Sequence, residues 1–204
     1  MAFTYFFRDL QTIELAVKHF LPYAVGRKRN HIWDAGCAMG PEPYTLAIIL
    51  AENMGRFAFK NIYIDATDID ESNLFGPIIS EGVFPEAEVK RVPKPIFEKY
   101  FCRFNGDDRF QIDPAIRSRV SYQKHDLLSL KPIREGFSLV LCKNVLLHFK
   151  YEQRIDVIRM FHKALAAGGL FAMEQTQKLP EELTHFFEQI TNDGQIYRKI
   201  EVKN

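Results

Sequence analysis

The chain has 204 residues, of which 47% are hydrophobic, so it is long enough to bury a core without disulfides or a metal ion. Its 27 basic and 26 acidic residues leave a formal net charge of +1, which argues against nucleic acid or an anionic membrane surface as the main partner. We expect one domain that spans residues 1–204.

The first third of the chain alternates helical and extended patterns. Apolar residues at steps of three and four predict an amphipathic helix that ends before Gly26. A second helix follows a short strand; its prolines lie in the first turn, and Gly55 is expected as its C-terminal cap. A helix that begins near Glu71 is expected to break at Gly76-Pro77. The predicted elements are a helix over 10–21, a strand over 31–35, a helix over 41–54 and a strand over 61–67.

Residues 82–119 have weaker periodicity, and Pro85, Pro93 and Pro95 separate short segments, which predicts a small insertion rather than a second full domain. Residues 102–105 and 109–112 are separated by Gly106-Asp-Asp108, a spacing typical of a hairpin. After the insertion, the alternation of strands and helices resumes and predicts a mainly parallel α/β sheet. The predicted elements are strands over 120–124, 137–142, 170–174 and 195–202, and helices over 152–166 and 181–191.

Three widely spaced cysteines, Cys37, Cys102 and Cys142, form neither a C-x-x-C pair nor an even disulfide set. We interpret them as reduced core thiols, which suits the cytoplasm. The longest apolar run, residues 46–51, is far too short to span a membrane, and no leader-like segment begins the sequence. The sequence therefore predicts a cytoplasmic protein without membrane insertion.

The loop after the first strand contains Gly36 and Gly40, which we expect to let a ligand approach the backbone closely. The pattern also occurs as ordinary turn chemistry. The loop lacks a phosphate cradle and has Glu42 in the first turn of the following helix. A carboxylate there disfavours a pyrophosphate and favours the ammonium and sulfonium of S-adenosylmethionine over NAD or ATP.

Acidic residues follow the next two strands of the sheet. In parallel α/β sheets, ligands bind outside the carboxyl ends of the strands, so Asp68 is placed to accept hydrogen bonds from ribose hydroxyls. A helix N-cap is the alternative role, and Asp70 fits that cap better. Asp126 is placed to accept from an adenine amino group, with Leu127 against the ring.

With these residues assembled, the chain resembles the catalytic domain of the chemotaxis receptor methyltransferase family, called CheR. The resemblance covers nearly the whole chain and implies a Rossmann-like S-adenosylmethionine-dependent methyltransferase fold with an inserted β-subdomain, which in some members docks on the receptor tail. It rests on residues 4–8 (T-Y-F-F-R), 35–44 (A-G-C-A-M-G-P-E-P-Y), 66–70 (A-T-D-I-D), 126–128 (D-L-L), 142–145 (C-K-N-V) and 147–149 (L-H-F).

The resemblance also implies the activity, which is transfer of a methyl group from S-adenosylmethionine to a protein glutamate, with S-adenosylhomocysteine as the product and no metal. The cofactor site implied by the matching positions consists of Thr4, Arg8, Glu42, Asp68, Asp126, Leu127 and Asn144, beside Gly36. Arg8 also reaches toward the reacting centre. Two plainer roles stay open, a surface pair for Arg8 and a turn for Asn144.

Several positions depart from the family pattern. Lys143 and His148 stand where the family has an arginine and a tyrosine near the acceptor carboxylate, Ala2 stands where asparagine is usual, and no counterpart of the N-terminal helical domain is expected. A lysine lacks the bidentate fork of arginine, and a histidine can change protonation near neutral pH.

The candidate catalytic residues are therefore Arg8 and Lys143, which would hold the acceptor oxygens, and His148, which would orient the acceptor or remove a proton from an amine or hydroxyl. Two alternatives stay open because of these departures. One is a methyltransferase for a small molecule or a non-receptor protein, and the other is an inactive cofactor-binding or scaffolding module.

Overall fold

The computed structural model describes residues 4–106 and 108–201. A seven-stranded sheet forms its centre, in the order β6-β2-β1-β7-β8-β10-β9. The first five of these strands are mutually parallel, and β10 and β9 add antiparallel at one edge, so the predicted α/β class with a mainly parallel sheet is confirmed. The strands are β1 (Asn30–Ala35), β2 (Ile62–Asp68), β6 (Val120–Lys124), β7 (Phe137–Cys142), β8 (Leu165–Met173), β9 (Phe187–Gln189) and β10 (Ile196–Lys199).

Helices cover both faces of the sheet, because its central strands carry apolar side chains on both faces. The helices α1 and α2 pack on one face, where Ile32 and Leu139 lie, and α8 packs on the other against Trp33 and Val140. The helices are α1 (Leu10–Ala24), α2 (Pro41–Asn53), α3 (Arg56–Phe59), α4 (Phe75–Glu81), α5 (Glu86–Val89), α6 (Lys94–Tyr100), α7 (Pro114–Arg117) and α8 (Tyr151–Ala164).

The insertion carries its own small sheet, in the order β3-β5-β4. The predicted hairpin is confirmed, since β4 pairs antiparallel with β5, and β3 pairs with the other edge of β5. Three short helices, α5, α6 and α7, lie between and after these strands. The three strands are β3 (Val83–Pro85), β4 (Phe101–Arg103) and β5 (Arg109–Ile112).

The predicted helix over 181–191 is wrong. Residues Glu181–Leu183 form a single 3-10 turn, and Phe187–Gln189 form the edge strand β9. Phe187 packs against Phe171 and Tyr197 in the core, so tertiary contacts outweigh a local helical pattern. The last strand ends at Lys199 rather than at 202, a residue that lies outside the described part of the chain.

Glycines and prolines also misled the sequence interpretation. Gly76-Pro77 does not break a helix, because both residues lie in the first turn of α4, where the missing N–H of proline is not needed. Gly55 does not cap α2, since that helix ends at Asn53 with Met54 as its C-cap residue, and Gly55 directly precedes α3. Gly168-Gly169 lies inside β8, where a Cβ on Gly169 would lie 2.8 Å from the carbonyl oxygen of Phe137.

Cys37 and Cys142 are buried thiols, as predicted, whereas Cys102 is exposed on the small sheet and does not belong to the core. All three are free cysteines. Among the described residues, no helix combines the length and apolar character needed to cross a membrane.

We predict that Gly40→Ala destabilises the fold much more than Gly26→Ala. Both glycines have positive φ, 106° and 78°, which costs alanine about 1–2 kcal/mol. A Cβ at Gly40 would also lie 2.8 Å from Cγ1 of buried Ile79, whereas nothing lies within 4 Å at Gly26. Overpacking adds about 1–3 kcal/mol, so urea unfolding should separate the two variants. Equal losses would contradict the contact with Ile79.

Candidate functional site

A cavity of about 610 Å³ lies outside the carboxyl ends of β1, β2, β6 and β7, next to the point where the order of the strands reverses. Ligands of open α/β sheets bind at this position. The structure brings all ten sequence-predicted site residues together there. The cavity is lined by Thr4, Arg8, Gly36, Glu42, Asp68, Asp126, Leu127, Lys143, Asn144 and His148.

The amino-terminal segment that carries Thr4 and Arg8 is anchored by its own aromatic residues. The ring of Phe6 is fully buried and meets the rings of Phe84 and Phe101 edge to face, with centroids 4.9 and 5.4 Å away. The next residue, Phe7, donates its N–H to Oγ1 of Thr45 on α2. These contacts hold the segment between the insertion and the main sheet, at the rim of the cavity.

An ion pair lies at the floor of the cavity. The side chain of Lys143 is fully buried, and its Nζ donates to Oε2 of Glu42 at 3.0 Å and to the carbonyl oxygen of Arg8 at 3.1 Å. The ammonium of Lys143 thus balances the negative charge of Glu42 and binds the backbone of the amino-terminal segment. The expectation that Lys143 chiefly holds an acceptor is revised accordingly, because its charge already has a partner within the chain.

The loop between β1 and α2 is shaped by Asp68. Oδ2 of Asp68 accepts the N–H of Ala38 at 2.9 Å, and Oδ1 accepts the N–H of Asp70 at 3.3 Å. Each carboxylate oxygen keeps a further lone pair for a ligand. Asp68 is therefore a loop anchor whatever else it binds.

The two glycines of this loop serve different purposes. Gly36 lines the cavity, but with φ of 101° a Cβ there would lie 2.1 Å from Cγ2 of Val145, so packing alone demands glycine. Gly40 is not among the lining residues, and its missing side chain makes room for Ile79. The expectation that Gly40 lets a ligand approach is therefore wrong.

Asp70 acts at the start of α4, as its fit to a cap predicted, although the helix begins later than expected. Its carboxylate accepts the N–H groups of Leu74 and Phe75 and the hydroxyls of Ser72 and Tyr122. Burial by itself raises the pKa of Asp70, but these hydrogen bonds outweigh it, and the pKa is lowered. Asp70 is therefore structural, which leaves Asp68 for the cavity.

Asp126 and Leu127 follow β6. The side chain of Asp126 caps the 3-10 turn Leu127–Ser129 by accepting the N–H of Leu128 at 2.8 Å, and it is exposed to the cavity. Leu127 is buried beneath it.

Asn144 and His148 follow β7. Asn144 has a positive φ of 57°, donates its N–H to Oε2 of Glu174, and donates Nδ2–H to Oδ2 of Asp9 at 3.0 Å. Asn144 thus stabilises the turn after β7, which is the alternative role that the sequence left open. His148 ends the 3-10 turn Leu146–His148 and is exposed at the rim. Arg8, half-buried beside it, lies 3.5 Å from the carboxylate of Asp9.

Sequence reasoning missed several lining residues, among them Ile69, His125, Leu128 and Leu147. They are immediate neighbours of the predicted residues in the chain, so the strand-end rule was applied too narrowly. The apolar residues among them are unusually exposed, with 51% of Ile69 and 41% of Leu147 accessible to solvent. Exposed apolar side chains of this kind are typical of a surface that binds a ligand.

We predict that Lys143→Met lowers the free energy of unfolding by about 3–5 kcal/mol, because it leaves Glu42 buried without a counter-charge. The double variant Glu42→Gln/Lys143→Met should recover a large part of this loss. Lys94→Met is the matched control, since it removes an exposed pair with Glu98 and should change stability by less than about 1 kcal/mol. Chemical denaturation measures all three, and a similar small loss for both lysine variants would contradict the role of the buried pair.

Comparison with known proteins identifies the family to which this site belongs. Residues 2–196 match the CheR methyltransferase, SAM binding domain family. The chain is 34% identical over 171 residues to a chemotaxis protein methyltransferase of Borreliella burgdorferi, covering 79% of this chain and 59% of that protein. It is 30% identical over 202 residues to chemotaxis protein methyltransferase 1 of Pseudomonas aeruginosa, covering 96% and 73%.

A solved structure supports the same fold. The N-methyltransferase NodS from Bradyrhizobium japonicum, in complex with S-adenosyl-L-homocysteine, superposes with a TM-score of 0.51 at 15% identity, covering 95% of this chain and 86% of that one. The Rossmann-like methyltransferase fold that the sequence predicted is thereby confirmed. With its family match over nearly the whole length and a fold and cavity of the expected kind, the chain belongs to the CheR family of S-adenosylmethionine-dependent methyltransferases.

Proposed function

We propose that this domain transfers the methyl group of S-adenosylmethionine to a glutamate carboxylate of a protein, forming a methyl ester. The observation that carries the proposal is that Arg8, a cation suited to a carboxylate, lines the same cavity as Glu42, Asp68 and Asp126. The chain spans 59% of the length of its Borreliella relative, so the acceptor is argued from the cavity as well as from the relatives' names.

The cavity fits the cofactor in size and in donor set. Its volume of about 610 Å³ lies within the range of small-molecule sites. Oε1 of Glu42 is buried without a hydrogen-bond donor among the described residues, which suits an incoming ammonium group. Asp68 would hold the ribose hydroxyls, Asp126 the adenine amino group, and Ile69 and Leu127 the faces of the ring. Thr4, Gly36 and Asn144 complete this site.

Methyl transfer to a carboxylate does not require proton transfer by the protein. When bound, the cofactor supplies an electrophilic methyl group on a sulfonium. A glutamate side chain has a pKa of about 4.3 in model peptides and is already ionised at neutral pH, so no general base of this chain is needed. Arg8 would hold the acceptor oxygens in line and exclude water, and alignment of this kind lowers a barrier by about 7–11 kcal/mol.

Lys143 and His148 take revised roles in this mechanism. The ammonium of Lys143 supports Glu42 and the backbone of Arg8, and therefore acts on the acceptor indirectly. His148, exposed at the rim, would orient the acceptor without accepting a proton. An amine or hydroxyl acceptor would instead require His148 as a base.

The surroundings of the site support a protein partner. The small sheet of β3, β4 and β5 packs on Phe6, two residues before Arg8 of the cavity lining. A docked partner there would present its side chain near Arg8. Three free cysteines are consistent with a cytoplasmic setting, which we include in the proposal.

Asp68→Asn should weaken binding of S-adenosylhomocysteine by about 1–3 kcal/mol, because one carboxylate oxygen that would accept from the ribose becomes a donor. The remaining oxygen can still accept the N–H of Ala38, and within the chain only the longer hydrogen bond from Asp70, at 3.3 Å, is lost. Asp65→Asn, in the same strand and outside the cavity lining, serves as the control and should bind as wild type does. Calorimetric titration measures both, and an unchanged affinity for Asp68→Asn would remove Asp68 from the ribose site.

Methyl groups transferred by this domain should be released by mild alkali. Labelled S-adenosylmethionine, a cell extract and the purified protein should yield labelled protein that gives volatile methanol when the pH is raised, because esters hydrolyse where methylated nitrogen does not. Label that survives alkali would contradict a carboxyl acceptor and favour His148 as a base.

Arg8→Ala should lower turnover far more than it lowers the affinity for S-adenosylhomocysteine. Arg8→Lys, which keeps the charge, should retain more of the activity.

A further inference from the structure

Asp34 places a carboxyl group near the carboxyl end of the buried strand β1. The residue is fully buried between Trp33 and Ala35, and neither of its oxygens has a hydrogen-bond donor among the described residues. Oε1 of Glu42 shares that condition. Buried carboxylates without donors are rare, because the lost hydration is not replaced. Three acceptor atoms without a donor at one place therefore need an explanation.

A single proton would turn one of these three oxygens into a donor for another, so that only one of the three still lacks a donor. The carboxyl groups of Asp34 and Glu42 lie close enough to interact, and two adjacent carboxylates offer only acceptors to each other until one of them is protonated. Lys143 distinguishes the two groups, since its ammonium lies 3.0 Å from Oε2 of Glu42. The charge therefore belongs on Glu42 and the proton on Asp34.

We propose that Asp34 is a positioning residue of the cofactor site, which keeps its proton at neutral pH and donates a hydrogen bond to Glu42. The proposal builds on the function proposed above, in which Glu42 holds the ammonium group of the cofactor. With Lys143 on Oε2 and the Asp34 hydroxyl as a further donor, the carboxylate of Glu42 is held in one orientation. Each carboxylate oxygen has two acceptor sites, so Glu42 can still accept from the ammonium group of the cofactor.

The electrostatic surroundings agree with this arrangement. Burial, followed by the charge of Glu42 and the hydrogen bond to it, raises the pKa of Asp34 well above its usual value. Lys143 lowers that pKa and Asp68 raises it, with smaller effects. The neighbouring thiols of Cys37 and Cys142 also have pKa values raised by burial, so they stay neutral and add no charge beside Asp34.

The pH dependence of stability tests where the proton lies. Because the folded-state pKa of Asp34 is raised above the unfolded value of about 3.9, its contribution is fully present below that pH and is lost as the pH rises toward the folded value. In the variant Asp34→Asn the side chain is neutral at every pH, so its stability does not fall for this reason as the pH rises. The unfolding constant of wild type divided by that of Asp34→Asn should therefore grow by up to about tenfold per pH unit.

Urea unfolding of the purified chain at about pH 4.5, 6.0 and 7.5 measures this ratio. Asp156→Asn makes the same chemical change at a half-exposed residue of α8, and its ratio to wild type should not grow in this way. A ratio for Asp34→Asn that stays constant over the series would overturn the proposal.

Binding of S-adenosylhomocysteine tests the positioning role itself. Asp34→Asn keeps a donor for Glu42 and should bind within about threefold of wild type, whereas Asp34→Leu keeps the volume without the donor and should bind at least about tenfold more weakly. Equal affinity of Asp34→Leu and wild type would overturn the positioning role alone. Failure of wild type to bind would contradict the proposed function, and the pH series would still decide the position of the proton.

Discussion

The buried ion pair between Glu42 and Lys143 is the constraint on which the cavity depends. It joins the first turn of α2 to the end of β7, and through the carbonyl oxygen of Arg8 it also holds the amino-terminal segment. Burying two charges costs several kcal/mol for each ion, so such a pair stabilises a fold only when its geometry is satisfied from all sides. The groups that the ammonium of Lys143 joins come from three separate parts of the chain. Formation of the pair and assembly of the cavity are therefore one event.

The amino-terminal segment couples the insertion to the same cavity. Phe6 packs on Phe84 and Phe101 of the insertion, while Arg8, two residues later, reaches the rim of the cavity and binds Lys143 through its backbone. A short segment with one buried ring cannot shift by much without losing that burial, which is worth about 1.5–3 kcal/mol. The position of Arg8 thus depends on aromatic packing outside the cavity. This dependence explains why an aromatic pair precedes the arginine in the chain.

The sequence predicted the central sheet well, because Gly36, Asp68 and Asp126 lie at or just after the ends of β1, β2 and β6, and parallel strands bring such ends together. It failed where tertiary contacts replaced local signals, as at the edge strand β9 around Phe187. It contains no sign of the role proposed for Asp34, whose neighbours in the sequence are apolar. A hydrogen bond between side chains of β1 and α2, such as the one proposed, leaves no trace in periodicity. Such pairings are visible only in three dimensions.

The charge balance of the cavity bears on the choice of acceptor. Three carboxylates, those of Glu42, Asp68 and Asp126, and two cations, Arg8 and Lys143, line it. Since Lys143 pairs with Glu42, Arg8 is the cation that we propose to face the acceptor, and Arg8 lies 3.5 Å from the carboxylate of Asp9. In the proposed reaction, transfer from a sulfonium to a carboxylate removes one positive and one negative charge together. A cavity of low dielectric favours that neutralisation, whereas transfer to a neutral amine leaves its positive charge beside Arg8. The electrostatics of the residues therefore favour a carboxylate even though Lys143 is withdrawn from the acceptor.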